Sequence, residues 1–177
     1  SDLRLSRSGP RASNLVSEGG ADVILAFDLL VGTTEQTLHA AGPERTVMVA
    51  STTATPTGSM IGHPEIAYPD LEDLSALAAQ RTRSDLNRFA DTTSLARGLV
   101  GSAAQANVLL LGVAVQAGTI PVDPDTIERA IELNGVAVDV NRAAFRWGRR
   151  WAVEPDVVEA RVEAAAADPA VVVVPTL

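Results

Sequence analysis

Apolar residues along this chain fall into two kinds of run, and each predicts a different element. Residues 21–28 (Ala-Asp-Val-Ile-Leu-Ala-Phe-Asp) and 45–50 (Arg-Thr-Val-Met-Val-Ala) are nearly continuous apolar stretches of strand length. Such runs belong to strands buried on both faces, as in a parallel sheet covered by helices. Between them Thr33-Thr34-Glu35-Gln36 has capping-box spacing and predicts a short helix through Ala41, halted by Gly42-Pro43. Strand, helix, strand within about thirty residues is a βαβ unit. Two weaker strand signals flank it. Leu3-Arg4-Leu5-Ser6 alternates as a half-buried or edge strand would, before the polar stretch 7–13 with Gly9-Pro10 breaks it, and a short strand is signalled at 87–91.

Helical spacing dominates the remainder. Residues 70–82 place Leu71, Leu74, Leu77 and Ala78 on one face. Residues 92–99 form a short helix closed by Gly98 or Gly101. Ser102-Ala103-Ala104-Gln105 has the form of another capping box, opening a helix that runs to Gln116 and stops at Gly118. That helix is apolar almost all round, which predicts burial within a layer. Asp123-Pro124 is an N-cap followed by proline at the first helical position, and the helix 126–134 ends at Gly135. Helices at 138–152 and 156–166 complete a helical C-terminal half. Val171-Val172-Val173-Val174 is strand-like and is expected to add to the sheet edge or dock elsewhere. The expected fold is α/β, a three-layer α/β/α arrangement with a mostly parallel sheet, over a single domain spanning residues 1–177.

Composition narrows the chemistry. The 177 residues contain no cysteine, which removes disulfides, thiolate metal sites, iron–sulfur ligation and thiol nucleophiles. All 14 basic residues are arginine, so neither a Schiff-base lysine nor a P-loop lysine is present. His39 and His63 are the only histidines, too few for a multi-histidine metal site. A net charge of −8 argues against nucleic acid and anionic membranes as partners. The longest apolar run, from Val108 to Val115, falls far short of the roughly 20 residues that span a bilayer. The opening residues lack the form of a signal peptide. A cytoplasmic, soluble domain is expected.

Candidate functional residues are few. Neither GxGxxG after a strand nor GxxxxGK[ST] occurs. Asp28 ends the first buried strand, at the sheet edge where open α/β folds bind ligands, or else it caps the following turn. Gly32-Thr33-Thr34 stands where a strand meets a helix and could cradle an anion or simply cap. The stretch 51–69, rich in threonine, glycine and proline, is a loop long enough to be functional or disordered. It holds Thr57 and the His63–Glu65 pair, a candidate for acid–base work or a solvated loop. Gln105, Asn107, Gln116, Asn134 and Asn141 form an amide set. Asn107 interrupts an apolar helix, where a buried amide must find a partner. Arg142, Arg146, Arg149 and Arg150 alternate with Phe145, Trp147 and Trp151, a pattern that suits an acidic partner or an interface.

These residues also resemble a known family. The run 20–30, then Ala50-Ser51-Thr52 and Pro56-Thr57-Gly58, is similar to the gamma domain of 2-oxoacid:ferredoxin oxidoreductases. Ala106-Asn107-Val108-Leu109-Leu110-Leu111-Gly112 and Gly118-Thr119-Ile120-Pro121-Val122 sharpen the resemblance. The blocks 127–138 and 141–149 resemble the indolepyruvate branch most closely. The resemblance runs from about Leu3 to Pro155. It implies an enzyme that decarboxylates a 2-oxoacid on thiamine diphosphate with Mg2+, passes electrons through iron–sulfur clusters to ferredoxin, and releases acyl-CoA. It further implies that this domain binds none of these cofactors, contributes no catalytic or metal-ligating residue, and packs over the active site within a homo-oligomeric assembly of other domains or subunits. Asp28, Thr57, Gln105, Asn107 and Asn134 are then the positions expected near substrate or cofactor. The family's glycine-rich strand–turn–helix and second N-terminal βα unit are absent before Ser1, so the chain reads as the later part of such a domain, inactive alone. A free-standing nucleotide-binding domain using Gly32 and a non-enzymatic interaction module using Phe145, Trp147 and Trp151 are the rival expectations.

Overall fold

Strand β2 (Val47–Ser51) is buried at all five positions, and its alternating side chains divide the core in two. A computed structural model describes residues 3, 5, 15–54, 62–63 and 67–167. In it Val47 and Val49 pack beneath the C-terminal helices, whereas Met48 and Ala50 pack against the helices that follow β1. Both faces are therefore apolar, as the unbroken apolar run required. Strand β1 (Val23–Ala26) lies parallel to β2 with Val23 opposite Val47 and Ala26 opposite Ala50. Strand β3 (Arg88–Ala90) lies parallel on the other side, with Val49 opposite Arg88 and Ser51 opposite Ala90. The sheet order is β1-β2-β3.

One layer is small. Helices α1 (Leu29–Gly32), α2 (Glu35–Leu38) and α3 (Leu71–Ala79) supply Leu29, Leu38, Leu74 and Ala78 to the face of Ile24, Ala26, Met48 and Ala50. The helix expected from the Thr33–Gln36 spacing through Ala41 is α2, capped by Thr34 and ending at Leu38, and the turn α1 before it was not expected. Gly32 is buried against β1, where a Cβ would meet that of Ala26. On α3 only Leu74 and Ala78 are buried; Leu71 and Leu77 remain 38% and 40% exposed. Asn87 ties this layer to the sheet. Its Oδ1 accepts from the Met48 N–H at 2.8 Å, and its Nδ2 donates to Thr82 Oγ1, which itself donates to the Ala78 carbonyl.

The opposite layer contains α4 (Thr92–Val100), α5 (Ala106–Gln116), α7 (Val138–Trp151) and α8 (Pro155–Ala167), with α6 (Pro124–Asn134) attached to α7. The sequence signals for these helices hold to within two residues at each end except at the start of α5, where Ser102 caps a 3-10 turn and the α-helix begins only at Ala106. Gly135 closes α6 at φ 70°, a left-handed conformation that glycine adopts without the usual Cβ penalty. A short 3-10 turn at Ala103–Gln105, capped by Ser102, precedes α5. Helix α5 is buried over Leu109, Leu110, Gly112, Val113, Ala114 and Val115, as its apolar run predicted.

The close packing of α5 on α7 comes from two glycines. A Cβ added at Gly112 would run into the Phe145 carbonyl oxygen, and one added at Gly148 would run into that of Leu109. Each glycine thus lets its helix backbone touch the other, and Phe145 is fully buried beside them. Phe145, Trp147 and Trp151 are 0%, 7% and 7% exposed, enclosed by this chain's own core. The expectation that these aromatics form a partner-binding surface is thereby overturned. Leu3 and Leu5 are exposed and belong to no strand. Arg4, Ser6, residues 7–13, Thr57 and Val171 to Val174 lie outside the described residues.

Gly148→Ala should therefore lower stability by about 1–3 kcal/mol, since the obstacle is backbone and cannot rotate aside. Asn107→Ala, on the exposed side of α5, should stay within about 0.5 kcal/mol. Urea denaturation midpoints measure both, and equal midpoints for the two variants would refute the backbone contact.

Candidate functional site

All three strands run parallel, so their carboxyl ends share one edge, and polar residues gather there after each strand. After β1 comes Asp28, which caps α1: its Oδ1 accepts from the N–H groups of Leu30 at 2.8 Å and Val31 at 3.4 Å. The Tyr68 hydroxyl donates to the same oxygen at 3.4 Å. Burial, with the Asp28 charge adding to it, pushes the Tyr68 hydroxyl above its usual pKa. Phe27 and Val31 flank Asp28 and are half exposed. Asp28 thus follows β1 at the carboxyl edge of the sheet and serves there as a cap.

After β2 and β3 the edge carries a chain of hydroxyls ending on a carboxylate. Thr92 Oγ1 donates to Ser51 Oγ at 2.8 Å, Ser51 Oγ donates to Thr53 Oγ1 at 3.0 Å, and Thr53 Oγ1 donates to Asp91 Oδ1 at 2.8 Å. Asp91 also caps α4, accepting the Ser94 N–H at 3.1 Å and the Ser94 hydroxyl at 2.7 Å. Burial pushes the Asp91 carboxyl up, but the hydrogen bonds from Ser94, Thr53 and the Thr93 N–H outweigh it and hold the group below the usual carboxylate range. The donors thereby fix an ionised carboxylate at the mouth of the sheet, able to accept a further hydrogen bond but already engaged through both oxygens. Sequence reading missed this constellation. Its signal was present in the Ser/Thr-rich exits Ser51-Thr52-Thr53 and Asp91-Thr92-Thr93 after two strands, yet Thr53 and Asp91 are 38 positions apart.

The other sequence candidates scatter. Gly32-Thr33-Thr34 forms no anion cradle, because the three N–H groups already donate to the carbonyls of Asp28, Leu29 and Val31. Gly32 ends a helix rather than starting one. Asn107 is exposed in the first turn of α5, so its amide needs no protein partner; the apolar run to which it belongs faces inward only from Leu109 onward. Asn134 is exposed at the end of α6, next to its Gly135 cap. Gln105 is buried in the turn before α5, and its Oε1 has no hydrogen-bond partner among the described residues. Gln116 accepts from Arg149 Nε at 3.0 Å, and Asn141 Nδ2 donates to the Val136 carbonyl. His39 and His63 are exposed. Thr57 lies outside the described residues. Among the described residues no group of three or more His, Asp or Glu is placed to hold a metal ion, and no helix is long and apolar enough to cross a membrane.

A family model described as Pyruvate ferredoxin/flavodoxin oxidoreductase matches residues 1–151 of this chain. No curated protein matches it.

Because Asp91 has a depressed folded-state pKa, its stabilisation is complete above the unfolded carboxylate value of about 3.9 and is lost as pH falls through that value and then through the lower folded one. Asp91→Ala should cost about 1 kcal/mol at neutral pH and flatten this part of the acid limb. Denaturation midpoints recorded between neutral pH and pH 3 would contradict the account if wild type and variant ran parallel.

Proposed function

The chain belongs to the pyruvate ferredoxin/flavodoxin oxidoreductase family, and from that premise we propose that it is a gamma-domain portion of an indolepyruvate-type 2-oxoacid:ferredoxin oxidoreductase. The family match over residues 1–151 carries this reading; the blocks 127–138 and 141–149 supply the branch. On this reading residues 1–177 form one partial domain of a larger cytoplasmic, homo-oligomeric enzyme. The parent enzyme converts a 2-oxoacid and CoA into acyl-CoA and carbon dioxide, and two electrons pass to ferredoxin. Its chemistry rests on thiamine diphosphate, Mg2+ and iron–sulfur clusters.

The described residues do not suit those groups. A Mg2+–diphosphate needs carboxylate ligands free to face it, whereas Asp91 turns both oxygens to its helix cap and neighbouring hydroxyls and Asp28 turns Oδ1 to the cap of α1. The chain has no cysteine for a cluster. The role we assign to this domain is enclosure: the exposed Asn107 and Asn134 amides offer hydrogen bonds to whatever packs against them. Asp28, Thr57, Gln105, Asn107 and Asn134 are the positions proposed to approach the substrate.

Viologen reduction by the intact parent polypeptide, purified without oxygen and supplied with thiamine diphosphate and CoA, tests this. Indolepyruvate and phenylpyruvate should turn over in preference to pyruvate and 2-oxoglutarate. In the same assay Asn107→Ala should change turnover or the Michaelis constant by roughly fivefold, the worth of one hydrogen bond. Preference for pyruvate would remove the branch assignment, and no turnover with intact clusters and bound thiamine would remove the activity. Unchanged kinetics for Asn107→Ala would remove that residue from the site.

A further inference from the structure

Of the helices α1–α8, α6 alone has no buried residue. Ile127, Glu128, Ile131 and Glu132 form its half-buried line, while Asp125, Thr126, Arg129, Ala130, Leu133 and Asn134 are exposed. Its substantial packing among the described residues is on α7, and the polar part of that contact is ionic. Arg146 grips Glu128 with two bonds, Nε to Oε1 at 2.9 Å and Nη2 to Oε2 at 2.8 Å. Arg142 adds Nε to Glu128 Oε2 at 3.3 Å and Nη1 to Glu132 Oε1 at 2.9 Å. Glu132 also receives Arg129 of α6 itself.

The contrast with α7 decides how the two helices behave. Helix α7 touches α5 backbone to backbone through Gly112 and Gly148, with aromatic side chains buried around the contact. Helix α6 relies on guanidinium–carboxylate pairs still in reach of water, each of modest strength and weakened by salt. Its two ends are jointed and pinned. At one, Gly118 turns at φ 72° and the Thr119 hydroxyl donates to the Ala114 carbonyl at 2.8 Å. At the other, Gly135 and Ala137 turn at φ 70° and 46°, and Asn141 Nδ2 donates to the Val136 carbonyl at 2.9 Å. Both pins hold the connections rather than the helix.

We propose that α6 is a flap, latched to α7 by Glu128 and Glu132 on Arg142 and Arg146, that opens while the α5–α7 contact stays closed. Opening separates both arginines from their carboxylates. It also uncovers Ile127 and Ile131, which limits the open population at rest.

Hydrogen exchange on the full chain, followed by mass spectrometry of peptides from α5, α6 and α7 at neutral pH, tests the latch. Amides in the middle of α6 should exchange at least tenfold faster than those of α5 and α7, and faster in 1 M than in 0.05 M NaCl. Glu128→Gln should speed α6 exchange by roughly two- to fivefold, the loss of partly exposed ion pairs, and leave α5 and α7 unchanged. Three results would overturn the proposal: α6 exchanging together with α5 and α7 in the wild type, α6 rates indifferent to both salt and Glu128→Gln, or Glu128→Gln accelerating all three helices alike. The wild-type salt comparison decides the matter even if the variant proves unstable.

Discussion

Two helix backbones meet at Gly112 and Gly148, and the larger layer of the domain is arranged around that meeting. Neither residue could carry a Cβ without displacing the carbonyl of the other helix, Phe145 in one case and Leu109 in the other. With both methyls absent, α5 lies close enough to α7 for Phe145 to be sealed from water and for Trp147 and Trp151 to join the core containing Leu109, Leu110 and Val113. Val47 and Val49 of the central strand complete that same cluster. Close-packed interiors respond to a methylene's change in volume, so the fit of this layer on the sheet depends on two positions with no side chain.

The smaller layer works through hydrogen bonds as much as through burial. Thr46, fully buried, donates to the Ala21 carbonyl and accepts from Gly42, which fixes the entry to β2. Asn87 does the same for the link between α3 and the sheet. These anchors place the ends of β2 and β3 so that Ser51, Thr53, Asp91 and Thr92 come into hydrogen-bond contact. In the proposed gamma-domain role this is the edge that other parts of the oxidoreductase would meet. A polar network already satisfied within the chain suits a docking floor more than a reactive centre, because its hydroxyl protons are committed.

Much of this was legible in the sequence where a local pattern has one physical meaning. The unbroken apolar run around Met48 could be stable only between two helical layers, whereas the run around Ile24 is fully buried on one face alone, and Asp123-Pro124 with Gly135 bracketed α6 at both ends. Elsewhere one pattern had two meanings. Gly32 beside Thr33 and Thr34 had the composition of an anion turn but serves to seat α1 on Ala26. Asn107 looked buried because its neighbours are apolar, although it occupies the first turn of α5 with its side open to solvent. The aromatic and arginine alternation of α7 was ambiguous until the rings turned inward and Arg142 and Arg146 found Glu128. Gly112 and Gly148 were the least legible, since an isolated glycine in a helix normally signals only weakness. Nor could any local rule join Thr53 to Asp91 across 38 positions.

A double-mutant cycle on Gly112→Ala and Gly148→Ala probes the central contact most directly, because the two methyls would force the same separation of the same helices. Once one has moved α5 from α7, the second has little left to displace, so the double variant should lose clearly less stability than the sum of the single losses, by about 1 kcal/mol or more. Strictly additive losses would contradict the account, for they would mean that the two glycines act at independent places and that the backbones do not meet.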